Sequence, residues 1–220
     1  MKPPLKPSGV GDLFSSLNKE KYKEIKKPKV EANKNLEDLI EEYKSFINQA
    51  INFEEAEKLY SRLKINSVSS KDIGEFSLLL GGYQTLDSFY LSGYFISKLI
   101  NESVDKEFKV HTIYLESLMD CLGYKNEKNL KINGNAGYGV GRNMKSGEIH
   151  VNGDAGNWVG QDMKSGEIHV KGNAGYGVGY NMNGGEIHVN GNYKSLSTEI
   201  RGGDIYHEDK LIVENGRIIK

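Results

Sequence analysis

The sequence predicts an α+β chain of more than one domain. An N-terminal all-α helical domain precedes a short right-handed parallel β-helix, a single-stranded solenoid with 19-residue coils. Three observations predict this. Apolar residues between 35 and 125 recur at helical spacing. From residue 130 the chain repeats itself every 19 residues. The glycines also divide sharply: of 26, 7 precede residue 130 and 19 follow it, so the architecture changes there.

Residues 1–34 hold all four prolines and a run from Lys19 to Lys34 with seven Lys and three Glu. This reads as a flexible tail or linker, with a short helix around Asp12–Leu17. Residues 35–129 form the helical domain. Leu36, Leu39, Ile40, Tyr43, Phe46, Ile47 and Ile51 define one helix face, with Asn35 as its N-cap. Asn52 followed by Glu55 resembles a capping box for a helix over 53–64. Ser70 caps a third helix, which Gly81-Gly82 breaks. The apolar segment 84–101 reads as a central core helix. A last helix covers 107–122 and closes at Gly123, with Cys121 as a small buried hydrophobe inside it.

Residues 130–220 form the β-helix with a C-terminal hairpin cap. Ile149, Ile168 and Ile187 each open a copy of the unit. The unit is too short for helical-pair repeats and contains strand-type Ile-x-Val alternation. A parallel solenoid with coils ~4.8 Å apart follows. The Ile149, Val151, Ala136, Val140 and Met144 columns stack inward. Four glycine columns mark corners that need a positive φ or a close backbone approach. They are Gly134, Gly153 and Gly172; Gly137, Gly156 and Gly175; Gly141, Gly160 and Gly179; and Gly147, Gly166 and Gly185. Asn215-Gly216 signals the closing hairpin. Right-handedness follows the rule for parallel crossovers.

The spacing G-x-x-G-x-x-x-G occurs three times: at Gly134, Gly137 and Gly141, at Gly153, Gly156 and Gly160, and at Gly172, Gly175 and Gly179. Each is followed by Met and Gly-Glu-Ile-x-Val. This resembles the GXGXG repeat of the C-terminal β-helix domain of the glutamate synthase large subunit. It is also similar to the β-helical subunit of formylmethanofuran dehydrogenases. The resemblance covers about 130–206 and implies a right-handed β-helix that holds catalytic domains or subunits in place. It carries over no catalytic residue and no cofactor. The amidotransferase, the flavin barrel and the iron–sulfur cysteines of glutamate synthase have no counterpart in this chain.

Two outward constellations stand out. His150, His169 and His188 recur at one place in successive coils, with Glu148, Glu167 and Glu186 two residues earlier. By alternation they face solvent, where stacked imidazoles and carboxylates form either a metal-ligand set or a solvated, partner-docking face. A second face carries Tyr138, Trp158, Tyr176, Arg142 and Tyr180. It reads either as a protein-binding patch or as an indole covering exposed backbone.

Several functions are excluded at this level. With 29 Lys+Arg against 30 Asp+Glu the net charge is -1, so nucleic-acid binding is not expected. The single cysteine excludes an intrachain disulfide and a four-cysteine cluster. No apolar run approaches the ~18 residues of a membrane span. The chain opens Met1-Lys2-Pro3-Pro4 without a signal-type apolar stretch, so a cytoplasmic protein is expected. Gly137-x-Gly139-x-Gly141 is not a dinucleotide fingerprint, and no P-loop or H-E-x-x-H occurs. The leading reading is a non-catalytic scaffold or interaction protein: a subunit of an oxidoreductase or amidotransferase complex, partnered by other protein subunits and compatible with a homo-oligomer. The alternatives are a metal-dependent enzyme or ligand-binding protein using the Glu/His face, and a sensor with a pocket between the helices and the first coil.

Overall fold

A computed structural model describes residues 29–30, 33–49, 52–83 and 89–219. Of the tail expected over 1–34, Asn33 and Lys34 already belong to the cap and first turn of a helix, while residues 1–28 and 31–32, with the short helix at Asp12–Leu17, lie outside the described residues. Within them, four α-helices precede an eight-stranded sheet wound into a solenoid of about five turns.

Helix α1 spans Lys34–Ile47 and buries Leu36, Leu39, Ile40, Tyr43 and Phe46, the face set by spacings of three and four. Its N-cap is Asn33, not Asn35: the Asn33 side chain accepts the Leu36 N–H at 3.1 Å. Helix α2, Phe53–Arg62, is capped by Asn52, whose side chain accepts the Glu55 N–H at 2.9 Å. Helix α3, Ser70–Leu79, is capped by Ser69 rather than Ser70 and runs into a 3₁₀ turn at Leu80–Gly82. Helix α4 spans Phe89–Glu102. Its Leu91, Tyr94, Phe95, Ile96, Leu99 and Ile100 are buried, and so are Ser92 and Ser97. A helix buried on every side must be sandwiched. On one side Tyr43 and Phe46 of α1 and Phe76 of α3 pack around Phe95, with ring centroids 5.4–5.8 Å apart. The other side rests on the solenoid.

The expected helix over 107–122 is not present. Glu107–His111 is strand β1, and a series of turns follows it. The reason is a period of two. Phe108 and Val110 are buried while Glu107 and Lys109 are exposed. Strand β1 pairs in parallel with β2 (Asn129–Asn133), with Phe108 beside Leu130 and Val110 beside Ile132. The solenoid therefore begins at Glu107, inside the stretch expected to be helical, with a degenerate coil of 22 residues. Cys121 is buried as expected, but in a turn with φ 55°, and burial pushes its thiol up to about 12. It is not poised as a nucleophile.

Strands β3 (Glu148–Val151), β4 (Glu167–Val170) and β5 (Asn183–Val189) stack in the register of the repeat, with Ile149, Ile168 and Ile187 side by side. The inward columns expected from the sequence, those of Ile149, Val151, Ala136, Val140 and Met144, are buried to 1% exposure or less in all three coils. Each buried Ile, Val or Met stabilises the rod by about 1.5–3 kcal/mol.

The four glycine columns divide by cause. Gly141, Gly160 and Gly179 adopt positive φ, as do Gly147, Gly166 and Gly185. In the first column only Gly134 does, at φ 129°. Gly153 and Gly172 are held by close approach instead: a Cβ on either would stand 2.7–2.8 Å from the carbonyl oxygen of the preceding glycine in the column. Gly137, Gly156 and Gly175 also have no positive φ. A Cβ on Gly156 would stand 2.7 Å from the Gly137 carbonyl carbon, and one on Gly175 would stand 2.8 Å from that of Gly156. Of the two causes expected for the corner glycines, close approach between coils and not backbone conformation is the one that acts at Gly153, Gly172, Gly137, Gly156 and Gly175.

Strand β6 (Gly202–His207) turns through Glu208-Asp209 into β7 (Lys210–Glu214). Asn215-Gly216, both at positive φ, then leads into β8 (Arg217–Ile218). This antiparallel hairpin closes the far end.

A ladder of side-chain acceptors ties coil to coil. The Asn135, Asp154 and Asn173 side chains accept the N–H groups of Asp154, Asn173 and Asn192 at 2.7–2.9 Å. At the next corner Asn157 accepts the Tyr176 N–H, and in the degenerate coil Asp120 accepts the Tyr138 N–H at 2.7 Å. Burial lifts the Asp120 carboxyl to about 7, against the opposing pull of that N–H. The sign follows from linkage. Unfolded, Asp120 ionises above about 3.9; folded, it stays protonated until about 7. Its contribution to stability is therefore full below pH 4, falls between pH 4 and 7, and is lowest above that. Asn, used at the equivalent position 157, keeps the acceptor without the charge. Asp120→Asn is expected to match wild type at pH 4 and to be more stable by about 2–4 kcal/mol at pH 8. Urea unfolding at the two pH values measures the difference; equal stability at pH 8 would contradict it.

Candidate functional site

The outward face of the parallel sheet carries two parallel rows. Strand alternation places residues two apart on the same side, and the register extends each row across all six parallel strands. One row is acidic apart from Asn129: Glu107, Asn129, Glu148, Glu167, Glu186 and Asp204. The other runs from basic to aromatic: Lys109, Lys131, His150, His169, His188 and Tyr206. The expected Glu/His ladder is thus assembled and faces outward. The sequence reading missed Lys109, Lys131 and Tyr206, along with the acidic ends of the first row. Their signal was the same alternation: in N-L-K-I-N at the spacing of the repeat itself, and in E-F-K-V-H and D-I-Y-H inside coils whose spacing departs from it.

Within each coil the histidine reaches back to its own glutamate. The Nε2–Oε2 distances are 3.0 Å for His150–Glu148, 3.1 Å for His169–Glu167 and 3.1 Å for His188–Glu186. The His150 bond holds the Glu148 carboxyl below the usual carboxylate range. Between coils the rings stack: His150 on His169 at 4.6 Å, His169 on His188 at 4.5 Å and His188 on Tyr206 at 4.5 Å, with interplanar angles of 14° or less. The backbone spacing sets this distance. Donor atoms of Glu167, His169 and His188 come within 4.8 Å of one another. Their side chains are 45%, 32% and 21% exposed, so a solvent-borne ligand reaches them. An open groove at the first-coil end is lined by Ser70, Lys71, Lys109, Lys131, Glu148 and His150. It lies at the junction where a sensor pocket was expected.

The second face is built around Trp158. Where the neighbouring coils have Gly139 and Gly177, this coil has an indole at the same left-handed backbone position, φ 61°. The indole stacks on Tyr180 at 5.2 Å and 17° and meets Tyr138 at 4.8 Å and 53°. It also lies over Gly177, where a Cβ would stand 2.6 Å from the indole Cδ1. Tyr176 extends beside this group, 53% exposed. Arg142, expected on this patch, turns instead to the helices. Its guanidinium pairs with Glu57 of α2 at 2.9 Å and donates to the Tyr94 hydroxyl of α4 at 3.2 Å. The arginine locks the helices to the solenoid and is not available to a partner.

Among the described residues, no helix is long and apolar enough to cross a membrane. Compared with family models, curated proteins and solved structures, the chain matches none.

Proposed function

We propose that this protein is a non-catalytic scaffold: an all-α N-terminal domain and a right-handed β-helix that together dock a protein subunit in a cytoplasmic complex. One observation carries the reading. Among the 19-residue coils the αL corner held by Gly139 and Gly177 is broken once, where the bulky Trp158 replaces glycine; the degenerate coil places the small, buried Cys121 there. Holding Trp158 at φ 61° costs about 1–2 kcal/mol relative to glycine. A rod-building role alone does not require that cost, because Gly139 and Gly177 fill the same corner in the adjacent coils. What the substitution adds is a surface of Tyr138, Trp158, Tyr180 and Tyr176 on a rigid support, the residue types that anchor protein interfaces. The sequence resemblance to the β-helix of the glutamate synthase large subunit supports the same role. There such a domain positions catalytic neighbours, which suggests an oxidoreductase or amidotransferase assembly.

Trp158→Gly tests the proposal cleanly, because it restores the repeat. The chain is purified gently from its own cells, as wild type and as W158G. Wild type is expected to retain a stoichiometric protein partner. W158G is expected to lose it by tenfold or more, with a melting temperature within about 5 °C of wild type. Wild type eluting alone, or both chains holding the partner equally, would reject the docking role.

A further inference from the structure

We propose that Glu167, His169 and His188 bind one divalent transition-metal ion of the zinc, nickel or copper class. The inference is independent of the docking role and rests on another face of the solenoid. Its donor set is two imidazole nitrogens and one carboxylate oxygen, brought within 4.8 Å of one another by the stacking of two adjacent coils. Imidazole ligands favour these borderline ions over magnesium or calcium, which take oxygen ligands.

One edge of the site already has the right length. Two ligand atoms on a tetrahedral zinc stand roughly 3.3 Å apart when each bond is about 2.0 Å; His169 Nε2 and Glu167 Oε2 stand 3.1 Å apart. The third donor, on His188, must close from the stacking distance. That takes a side-chain swing on the order of 1 Å, and the backbone ladder need not move. On binding, the Nε2 proton that each imidazole shares with its carboxylate is displaced, and the neutral ring carries its proton on Nδ1. The carboxylates of Glu148 and Glu186, in the same acidic row, offset the charge of the ion. Three protein ligands leave a coordination position open to water.

The position along the ladder is also specific. Only His169 has an imidazole on both sides. His150 is preceded by Lys131, and His188 is followed by Tyr206. The central histidine should therefore dominate affinity. These side chains point away from the core, so replacing them leaves the inward columns intact.

The test uses untagged full-length chain titrated with zinc chloride in a calorimeter, and cobalt(II) as a spectroscopic probe. Wild type is expected to bind one zinc and to give the intense visible absorption of tetrahedral cobalt. His169→Ala is expected to weaken zinc at least tenfold and abolish the cobalt band. His150→Ala should stay within about threefold of wild type, with unchanged melting in both variants. The proposal fails if wild type shows no binding at 100-fold molar excess of zinc. It also fails if H169A binds like wild type, or if H150A loses as much as H169A. W158G should keep the metal, which separates this result from the docking experiment.

Discussion

Gly166→Val is expected to abolish the folded solenoid or lower its melting temperature by roughly 10–20 °C. Two independent costs coincide at this corner. Gly166 has φ 90°, where a β-branched L residue is strained by more than the usual 1–2 kcal/mol. A Cβ there would also stand 2.7 Å from both the Gly147 carbonyl oxygen and the Met144 Cε, and 2.9 Å from the Ser146 carbonyl carbon. The methyl end of Met144 can move; the backbone atoms cannot move freely. The Gly147 carbonyl accepts the Glu167 N–H at 3.0 Å, one of the bonds that joins this coil to the one below. Relieving the overlap therefore breaks the ladder on which β4 is built. Coils in a solenoid are stabilised by their neighbours, so damage at a central coil spreads in both directions. Together these terms reach about 4–6 kcal/mol. Gly82→Ala is the control: a Cβ there meets nothing within 4 Å, and its melting temperature should stay within about 3 °C. Calorimetry or thermal circular dichroism gives the comparison. A G166V chain that melts like G82A would show that the corner glycines are ornamental.

The repeat made most of the rod legible because a fixed period ties every side chain to a face. Once Ile149, Ile168 and Ile187 are aligned, alternation alone sends Val151 inward and His150 outward, and the structure follows both. The same period located every corner glycine but not its cause. Gly160 and Gly179 need a left-handed backbone, whereas Gly175 needs only room against the preceding coil, and a one-letter repeat shows the two alike. The caps were less exact for a related reason. Asn33 and Asn35, or Ser69 and Ser70, are equally good capping residues. The choice falls on the one whose side chain reaches an N–H three residues on, as Asn33 reaches Leu36 and Ser69 reaches Asp72. The first coil escaped because a five-residue strand followed by turns offers too short a pattern to outweigh helical spacing over 107–122. Its pairing with β2 is the non-local fact that decides the matter. Among site residues, the outward histidines needed only alternation. Arg142 needed knowledge of Glu57, which lies on α2 and far away in sequence, so its turn toward the helices had no local signal.

Gly93→Ala is expected to destabilise the chain by about 3 kcal/mol or more, although helix propensity alone predicts a gain of roughly 1 kcal/mol. By helix propensity alone Gly93 weakens the helix that contains it. In the structure it is the point where α4 touches the first coil. A Cβ at this position would overlap the Asp120 carbonyl oxygen, with the Asp120 carbonyl carbon at 2.8 Å and the Leu122 nitrogen at 3.0 Å. All three are backbone atoms, so no side-chain rotation relieves the overlap and the helix must back away. The bonds that depend on this approach are specific. Ser97 Oγ, oriented by its bond to the Gly93 carbonyl of its own helix, accepts the N–H groups of Gly123 and Tyr124 across the contact at 2.9 and 3.1 Å. Asn101 donates to the Tyr124 carbonyl at 3.0 Å. Retreat of α4 leaves these buried groups without partners, at about 1–3 kcal/mol each. Hydrogen exchange locates the damage as well as measuring it. The Gly123 and Tyr124 amides should lose protection in G93A while those of Ile149, Ile168 and Ile187 keep theirs. A G93A chain that melts higher than wild type would mean that propensity outweighs the contact, and that the helices do not rest on the coil at this point. The expected loss instead makes a residue that weakens its own helix the condition for attaching that helix to the rod.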